Sequence, residues 1–471
     1  MPEHGSSVQP SPGPVPAAPA PAPAAPPPQP LTAGRIARFW LPLEATWLMM
    51  AAEGPFVAAV IARLASPKEN LAAFAVATAL AWMVESPVIM MLSASNVLVR
   101  DGLAYRKLRR FSNALNAAVT AVMALLLIPP VFDAVARGVM GLGPDIARLA
   151  GRSMIFLLFW PGAIGFRRFY QGILISHGRP QAVTWGTVVR LSTMAGTGLL
   201  LALAFRLPGA SVGAGALGAG VIAEGAASWL MARPTLRRLR RDDPAACAFG
   251  ASLTAGRVVR FYSPLALTSF LLFFINPLTT FFLARGRMPV ESLAVLPVVV
   301  GLAFVFRTAG IAMQEVVIAL AGDGLENRRP LRRFALRVGA ASSAGLAAVV
   351  FSPLAGFWYG RVSGLSPELT AFSVVPGMLL VLVPFLEAVL SYERSLLVRA
   401  HRTAPISVAV AVQLGVTALG FSIAALVLKT VGALSIGPAL TAGYAAGAAV
   451  LALGHRDAPP APLDRPRGTV A

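Results

Sequence analysis

The chain has 471 residues, 56% of them hydrophobic and 13% charged, with a mean hydropathy of +0.70. That balance exceeds what a soluble globular domain keeps in solution and assigns the chain to a bilayer. Lysine and arginine outnumber aspartate and glutamate by 40 to 20, and the excess is nearly all arginine, clustered between apolar runs where it sets topology and does not call for nucleic acid. A single cysteine, Cys247, excludes a disulfide framework within one chain and any CxxC metal site.

Residues 1–34 are dense in proline and alanine and hold no apolar helical run, so they read as a disordered cytoplasmic tail. No basic segment leads into an apolar one there, and no cleavable signal peptide is expected. A spanning helix needs about 20 mostly apolar residues at a rise of 1.5 Å each. In chain order the qualifying stretches are 36–64, 70–99, 112–136, 149–177, 181–205 and 211–233, then 257–286, 290–321, 333–356, 367–399, 404–428 and 431–455. The predicted organisation is therefore an all-α polytopic membrane protein of twelve helices: a six-helix lobe over 35–233, a cytoplasmic linker over 234–256, a second six-helix lobe over 257–455 and a tail over 456–471.

Arg100, Arg106, Lys107, Arg109 and Arg110 follow the second span, Arg237, Arg238, Arg240 and Arg241 the sixth, and Arg328, Arg329, Arg332 and Arg333 the eighth. All fall on one side of a twelve-span chain. The opposite connections carry scattered charges such as Lys68, Arg206, Arg361 and Lys429, so the positive-inside rule puts the basic loops and both termini in the cytoplasm.

An internal repeat decides the architecture. RFWLPLEATWLMMAAEGPFVAAVIAR (38–63) aligns without gaps on RFYSPLALTSFLLFFINPLTTFFLAR (260–285), so that Pro42, Pro55 and Arg63 recur as Pro264, Pro277 and Arg285. At the same offset Pro67 and Glu69 meet Pro289 and Glu291, and Asp101-Gly102-Leu103 meets Asp323-Gly324-Leu325. One further residue of shift sets Pro161 on Pro384 and Arg179 on Arg402. Both halves hold an even number of spans, so they share one topology and are related by an axis along the membrane normal, with a cavity between the lobes. The matched prolines Pro42, Pro264, Pro55, Pro277, Pro161 and Pro384 are hinge candidates, because each removes a helical hydrogen bond.

Charges inside spans are costly, about 2.5–3.5 kcal/mol each on insertion scales, and each should face a cavity or a partner. Glu53 and Glu85 both fall near mid-depth. As a close pair in low dielectric, they form a candidate proton or cation site; the other reading is structural salt bridges to arginines. Arg167, Arg168 and Arg307 are candidates to bind an anion through guanidinium forks, with Gln171 and Gln314 as added donors; equally, they can neutralise Glu53, Glu85 and Glu387. Arg307 occupies the repeat position of Glu85. Glu44, expected near the cytoplasmic mouth, and Glu387, Glu393 and Arg394 are assigned to gating or salt bridging, and Arg190 and Glu224 complete the intramembrane charges. His177 and His401, at matched ends of spans four and ten, read as helix caps.

The two proline-broken openings FWLPLEATW and FYSPLALTS, the stretch SPVIMMLSASNVLVRD and the stretch FWPGAIGFRRFYQGILISHGRP resemble the multidrug/oligosaccharidyl-lipid/polysaccharide exporter superfamily, which includes the multidrug and toxin extrusion (MATE) proteins. Within it they are most similar to the progressive ankylosis family. The resemblance implies alternating access by rocking lobes and export of organic anions or related solutes. The major facilitator proteins share the twelve-span plan, but RDGLAYRKLRR differs in order from their basic loop. No GxxxxGK loop and no HExxH occurs, so neither an ATPase nor another enzyme is expected, nor any cofactor or metal. The expected partners are a small anionic substrate, a coupling proton or sodium ion and the bilayer, around a monomer. Alternatives are a lipid-linked saccharide flippase, a cationic-drug exporter and a non-transporting membrane regulator or scaffold.

Overall fold

Backbone polar groups in hydrocarbon must be satisfied within the segment, which dictates helices. The structure, a computed structural model, describes residues 31–456 apart from 180, 242–247, 323–324, 401 and 403, and every regular element among them is helical, with one isolated bridge, Arg287 with Val431. Nine helices are long and apolar enough to span: Ala33–Ala62, Pro67–Leu98, Gln181–Ala204, Gly209–Leu239, Ala255–Arg285, Pro289–Leu320, Arg328–Val350, Ala404–Val427 and Gly432–Gly454. Three further spans are bent pairs: Gly102–Leu126 with Pro129–Val139 at 79°, Pro144–Ile155 with Trp160–Ser176 at 41°, and Pro367–Met378 with Val383–Arg399 at 43°. These are the twelve expected spans, six in each half.

The third span departs from expectation, beginning at Gly102 and not near 112. Asp101 caps it by accepting the Ala104 amide at 2.8 Å, and Ala104, Tyr105 and Leu108 bury one face, so Arg106, Lys107, Arg109 and Arg110 ride on helix rather than loop. Arg328, Arg329, Arg332 and Arg333 likewise start the helix Arg328–Val350. The sixth span's helix runs on to Arg241, into the predicted linker, and the short helix Ala248–Ser252 follows. The tail expectations for 1–30 and 457–471, with Cys247, Asp323, Gly324 and His401, lie outside the described residues.

The duplication reaches the backbone. Ser66 and Met288 at φ 50° and 54°, Arg206 and Lys429 both at 46°, and Gly141 and Gly364 at 72° and 74° occupy matched positions. Left-handed conformations are costly for side chains other than glycine, so their pairing is not incidental. Contacts repeat too: the Ala210 amide donates to Asn70 Oδ1 at 2.9 Å, and the matched Ala433 amide to Ser292 Oγ at 3.0 Å.

The sequence halves are not the packing units. The helix Ala33–Ala51 is seated on the second half, where Ile36 is buried among Met313, Val317, Leu331 and Leu396. The opening of Ala255–Arg285 is seated on the first half, Val258 and Tyr262 packing with Tyr105 and Leu236. The exchange is symmetric at single hydrogen bonds: Trp40 Nε1 donates to the Ala309 carbonyl at 3.1 Å, and at matched positions Tyr262 donates to the Pro87 carbonyl at 2.5 Å. Each ring also meets a matched phenylalanine edge-on, Trp40 with Phe334 at 6.1 Å and Tyr262 with Phe111 at 5.3 Å.

At the face opposite the basic segments the halves touch again. Lys68 Nζ pairs with Glu291 Oε1 at 2.5 Å. Arg63 donates to the carbonyls of Arg361 and Val362 at 2.7 and 3.0 Å, and the matched Arg285 to that of Gly138 at 3.5 Å. Both acceptor segments are π-helical turns, Ala134–Val139 and Phe357–Val362, whose looser winding opens carbonyls to a partner.

Candidate functional site

Two buried charge clusters result, one inside each half. In the first, Glu53 opens the helix Glu53–Ala62 and Glu85 closes the helix Pro67–Glu85. Trp160, Arg167, Arg168 and Gln171 come from Trp160–Ser176, Arg190 from Gln181–Ala204 and Glu224 from the sixth span. The glycine-rich sixth span permits the approach: a Cβ on Gly220 would meet the Arg190 carbonyl at 3.1 Å.

Glu224 is the hub. It pairs with Arg167, accepts from Gln171 Nε2 at 3.0 Å and lies 3.7 Å from Arg190 Nη1. Arg190 in turn pairs with Glu53, whereas Glu85 accepts from the Trp160 indole and has no cation within 4 Å among the described residues. Three guanidinium groups, counting Arg168, face three carboxylates, so the cluster is neutral as drawn. Glu53 Oε1 and the Nε atoms of Arg167, Arg168 and Arg190 are buried without a hydrogen-bond partner.

In the second half Arg307 reaches Glu387 Oε2 through Nε at 3.1 Å and Nη2 at 2.6 Å, and also bonds the Tyr444 hydroxyl. Its guanidinium carbon stands 5.2 Å from the Tyr444 ring centroid and 5.7 Å from that of Phe304, an additional cation–π seat. Arg394 lies two turns beyond Glu387 on the helix Val383–Arg399, within electrostatic range of Tyr444. It makes no ion pair among the described residues, and its Nε is buried without a partner. Glu387 is thus committed to Arg307, and no carboxylate is paired with Arg394 among the described residues.

The structure brings Arg167, Arg168, Gln171, Glu53 and Glu85 into one cluster and puts Arg307 in the other. Glu53 and Glu85 share surroundings but bond different partners. Gln314 is half-buried, its carbonyl accepting from Ser395 at 3.2 Å, and Glu393 interacts with a neighbour near Tyr392. Glu44 is buried at the junction between halves, accepting from the Thr308 hydroxyl at 2.8 Å. Of the prolines, Pro161 and Pro384 follow the matched 41° and 43° bends, and Pro55 follows a break at Ala52; Pro42, Pro264 and Pro277 lie within unbroken helices. His177 caps its helix, its ring Nδ1 2.9 Å from the Ile173 carbonyl. Trp160 and Tyr444 were not singled out by sequence: Trp160 adjoins the flagged Pro161, while Tyr444 matches Val221 in the repeat and carries no signal. Among the described residues no group of three or more His, Cys, Asp or Glu is placed to hold a metal.

No protein-family model matches the sequence, and no curated protein matches it significantly. Solved structures do match. An inward-facing multidrug resistance MATE family transporter superposes with a TM-score of 0.66 at 15% identity, over 89% of this chain and 97% of that one. The chain has the MATE fold. The MATE fold is shared by the lipid II flippase MurJ in its inward closed conformation, which superposes at 0.64 with 10% identity over 89% of this chain and 88% of that one. An outward-facing MATE family transporter fits less well, at 0.55 with 15% identity over 89% and 94%.

Proposed function

We propose that the chain is a secondary active transporter that exports a small organic or phosphorylated anion by alternating access of its two halves, working as a monomer. Its membrane is a bacterial inner membrane, with both termini and the basic segments cytoplasmic. The observation that carries the anion is Arg394, on the helix that bears Glu387, whose Nε is buried without a hydrogen-bond partner and which makes no ion pair among the described residues. A guanidinium with no carboxylate partner inside a membrane protein costs about 2.5–3.5 kcal/mol on insertion scales unless water or an anion meets it. Arg394 with Arg307 would supply that meeting point, since paired forks bind carboxylate or phosphate in two-pronged fashion. Arg167 and Arg168, matched by acids in the first cluster, would hold the lobe in register and offer the anion a second contact when Glu224 lets go.

The coupling proton or cation belongs to Glu85 and Glu53. Glu85 is the better seat for a proton, because it is held by an indole and can be neutralised without stranding an arginine. Joined outer ends and the closer likeness to an inward-facing MATE structure support reading this conformation as one that faces the cytoplasm. The finer kinship with progressive ankylosis proteins rests on the sequence segments alone.

Flux into proteoliposomes of organic anions, nucleotides and cationic dyes under imposed pH and sodium gradients tests the reading. Anion flux that falls in R307Q and R394Q supports it; if no anion moves and neither variant changes any flux, the anion reading is lost. The likeness to MurJ favours one second reading, a lipid-linked saccharide flippase, which the same vesicles distinguish by translocating labelled lipid and not soluble anion.

A further inference from the structure

The basic end of the sixth span buries Ala232, Leu236 and Leu239 on one face and leaves the other exposed. Along one exposed face Ile222 and Leu230 are apolar and 50% and 48% exposed, and the same face continues into Arg233 and Arg237, both exposed. Residues three, four, seven and eight apart share a helical face, so this is one stripe, apolar over its upper part and doubly cationic at its end. Trp229 marks the change. It lies about 30 Å along the axis from Gly209 at 1.5 Å per residue, the thickness of the hydrocarbon core, which is the level at which tryptophan anchors concentrate.

Trp229, Arg233, Leu236 and Arg237 line a cleft of about 150 Å³. The Arg233 guanidinium carbon stacks 4.0 Å from the Trp229 ring centroid, which fixes the fork in place. Neither Arg233 nor Arg237 has a carboxylate within 4 Å among the described residues, unlike Arg167, Arg190 and Arg307 in the interior. The repeat does not copy the arrangement, because the position matching Trp229 is Ala452. Positive-inside topology needs charges here, but it does not need two arginines one turn apart around a tryptophan.

We infer that Trp229, Arg233 and Arg237 form a binding site for the headgroup phosphate of an anionic phospholipid in the leaflet on the basic side. The two forks take the phosphate oxygens, the indole sits at ester level, and one acyl chain lies along Leu230 and Ile222. A lipid is favoured over a free phosphate ion because the apolar stripe runs on from the cations without a break, and a free ion has no use for it.

Native mass spectrometry of the full chain, released from nanodiscs of mixed phosphatidylglycerol and phosphatidylcholine, reads the site directly. R233Q/R237Q should lower retained phosphatidylglycerol by about thirtyfold, the weight of two near-surface basic residues, with phosphatidylcholine unaffected. R328Q/R329Q, on another basic helix start without a tryptophan-lined cleft, should lower retention clearly less, and R233K/R237K should keep most of it. An unchanged phosphatidylglycerol count in R233Q/R237Q, or an equal loss in R328Q/R329Q, overturns the site. Inorganic phosphate that displaces the lipid at millimolar concentration overturns the lipid assignment in favour of a free anion. Circular dichroism of each variant separates loss of the site from loss of the fold.

Discussion

The Thr308 hydroxyl lies 2.8 Å from Glu44 Oε1 and 2.7 Å from the Val305 carbonyl, so a single proton faces two acceptors across the junction between halves. The second Glu44 oxygen is buried with no hydrogen-bond partner. A neutral side chain that donates to Thr308 Oγ1 would leave the hydroxyl proton to the Val305 carbonyl and remove a buried charge. Glu44→Gln provides that donor and should stabilise the fold by about 1 kcal/mol, whereas Thr308→Val should cost about 1–3 kcal/mol by stranding the acid. Thermal unfolding in detergent measures both; equal and opposite shifts are not required, but a destabilised Glu44→Gln would remove the argument.

Lys68 Nζ and Glu291 Oε1, 2.5 Å apart, join the ends of two spans at the face opposite the basic segments, and as a partly exposed pair they contribute little by themselves, about 0–1 kcal/mol. Their value is as a marker of closure. In a chain with Cys247 replaced by serine, K68C/E291C should be bridged by a short, cleavable, thiol-reactive cross-linker, which stands in for the two long side chains, and flux should stop until the bridge is cleaved. Cross-linking that leaves flux intact would mean that this face does not open during the cycle.

The first cluster couples Arg190 to two acids. Removing one member of a buried pair leaves an uncompensated charge and costs about 3–5 kcal/mol, so Arg190→Gln and Glu224→Gln should each lower stability by that order. Glu53→Gln with Arg190→Gln should cost less than the sum of the single changes. A double-mutant cycle on unfolding provides the coupling, and additive losses would show that Glu53 and Arg190 do not interact in the folded protein.

Arg307 and Arg394 should separate by readout. Arg307 holds Glu387 and Tyr444, so Arg307→Gln strands a buried acid and lowers stability by about 3 kcal/mol or more. Arg394 has no ion-pair partner among the described residues, so Arg394→Gln should leave the unfolding midpoint in place. Anion affinity should nonetheless fall by about tenfold, the weight of one charge-assisted hydrogen bond. A loss of stability in Arg394→Gln without loss of affinity would place it among the structural charges.

The spans were legible because about 20 apolar residues in a row have few other uses, and the repeat was legible because proline and arginine are rarely shared by chance. The third span began early since a capping aspartate and one buried face suffice to start a helix, and Arg106 and Lys107 sit on the other face. Ionic partners were not legible: Glu224 lies in a stretch of glycine and alanine, and its role as hub depends on how three helices are rotated. Nor does any pattern within residues 33–51 reveal that they pack on the other half. Trp40 and Tyr262 look like membrane-interface aromatics until their carbonyl partners are seen.

The exchange of opening segments also fixes an order of assembly. Ile36 and Trp40 leave the ribosome first, yet Ala309, Met313, Leu331 and Leu396, which form their seat, are synthesised hundreds of residues later. Until then the first helix lacks its main seat and has only a slight contact with the fifth span. The tenth span, through its helix Val383–Arg399, finishes the burial of the first, so a chain halted after the sixth span holds six helices and no completed lobe.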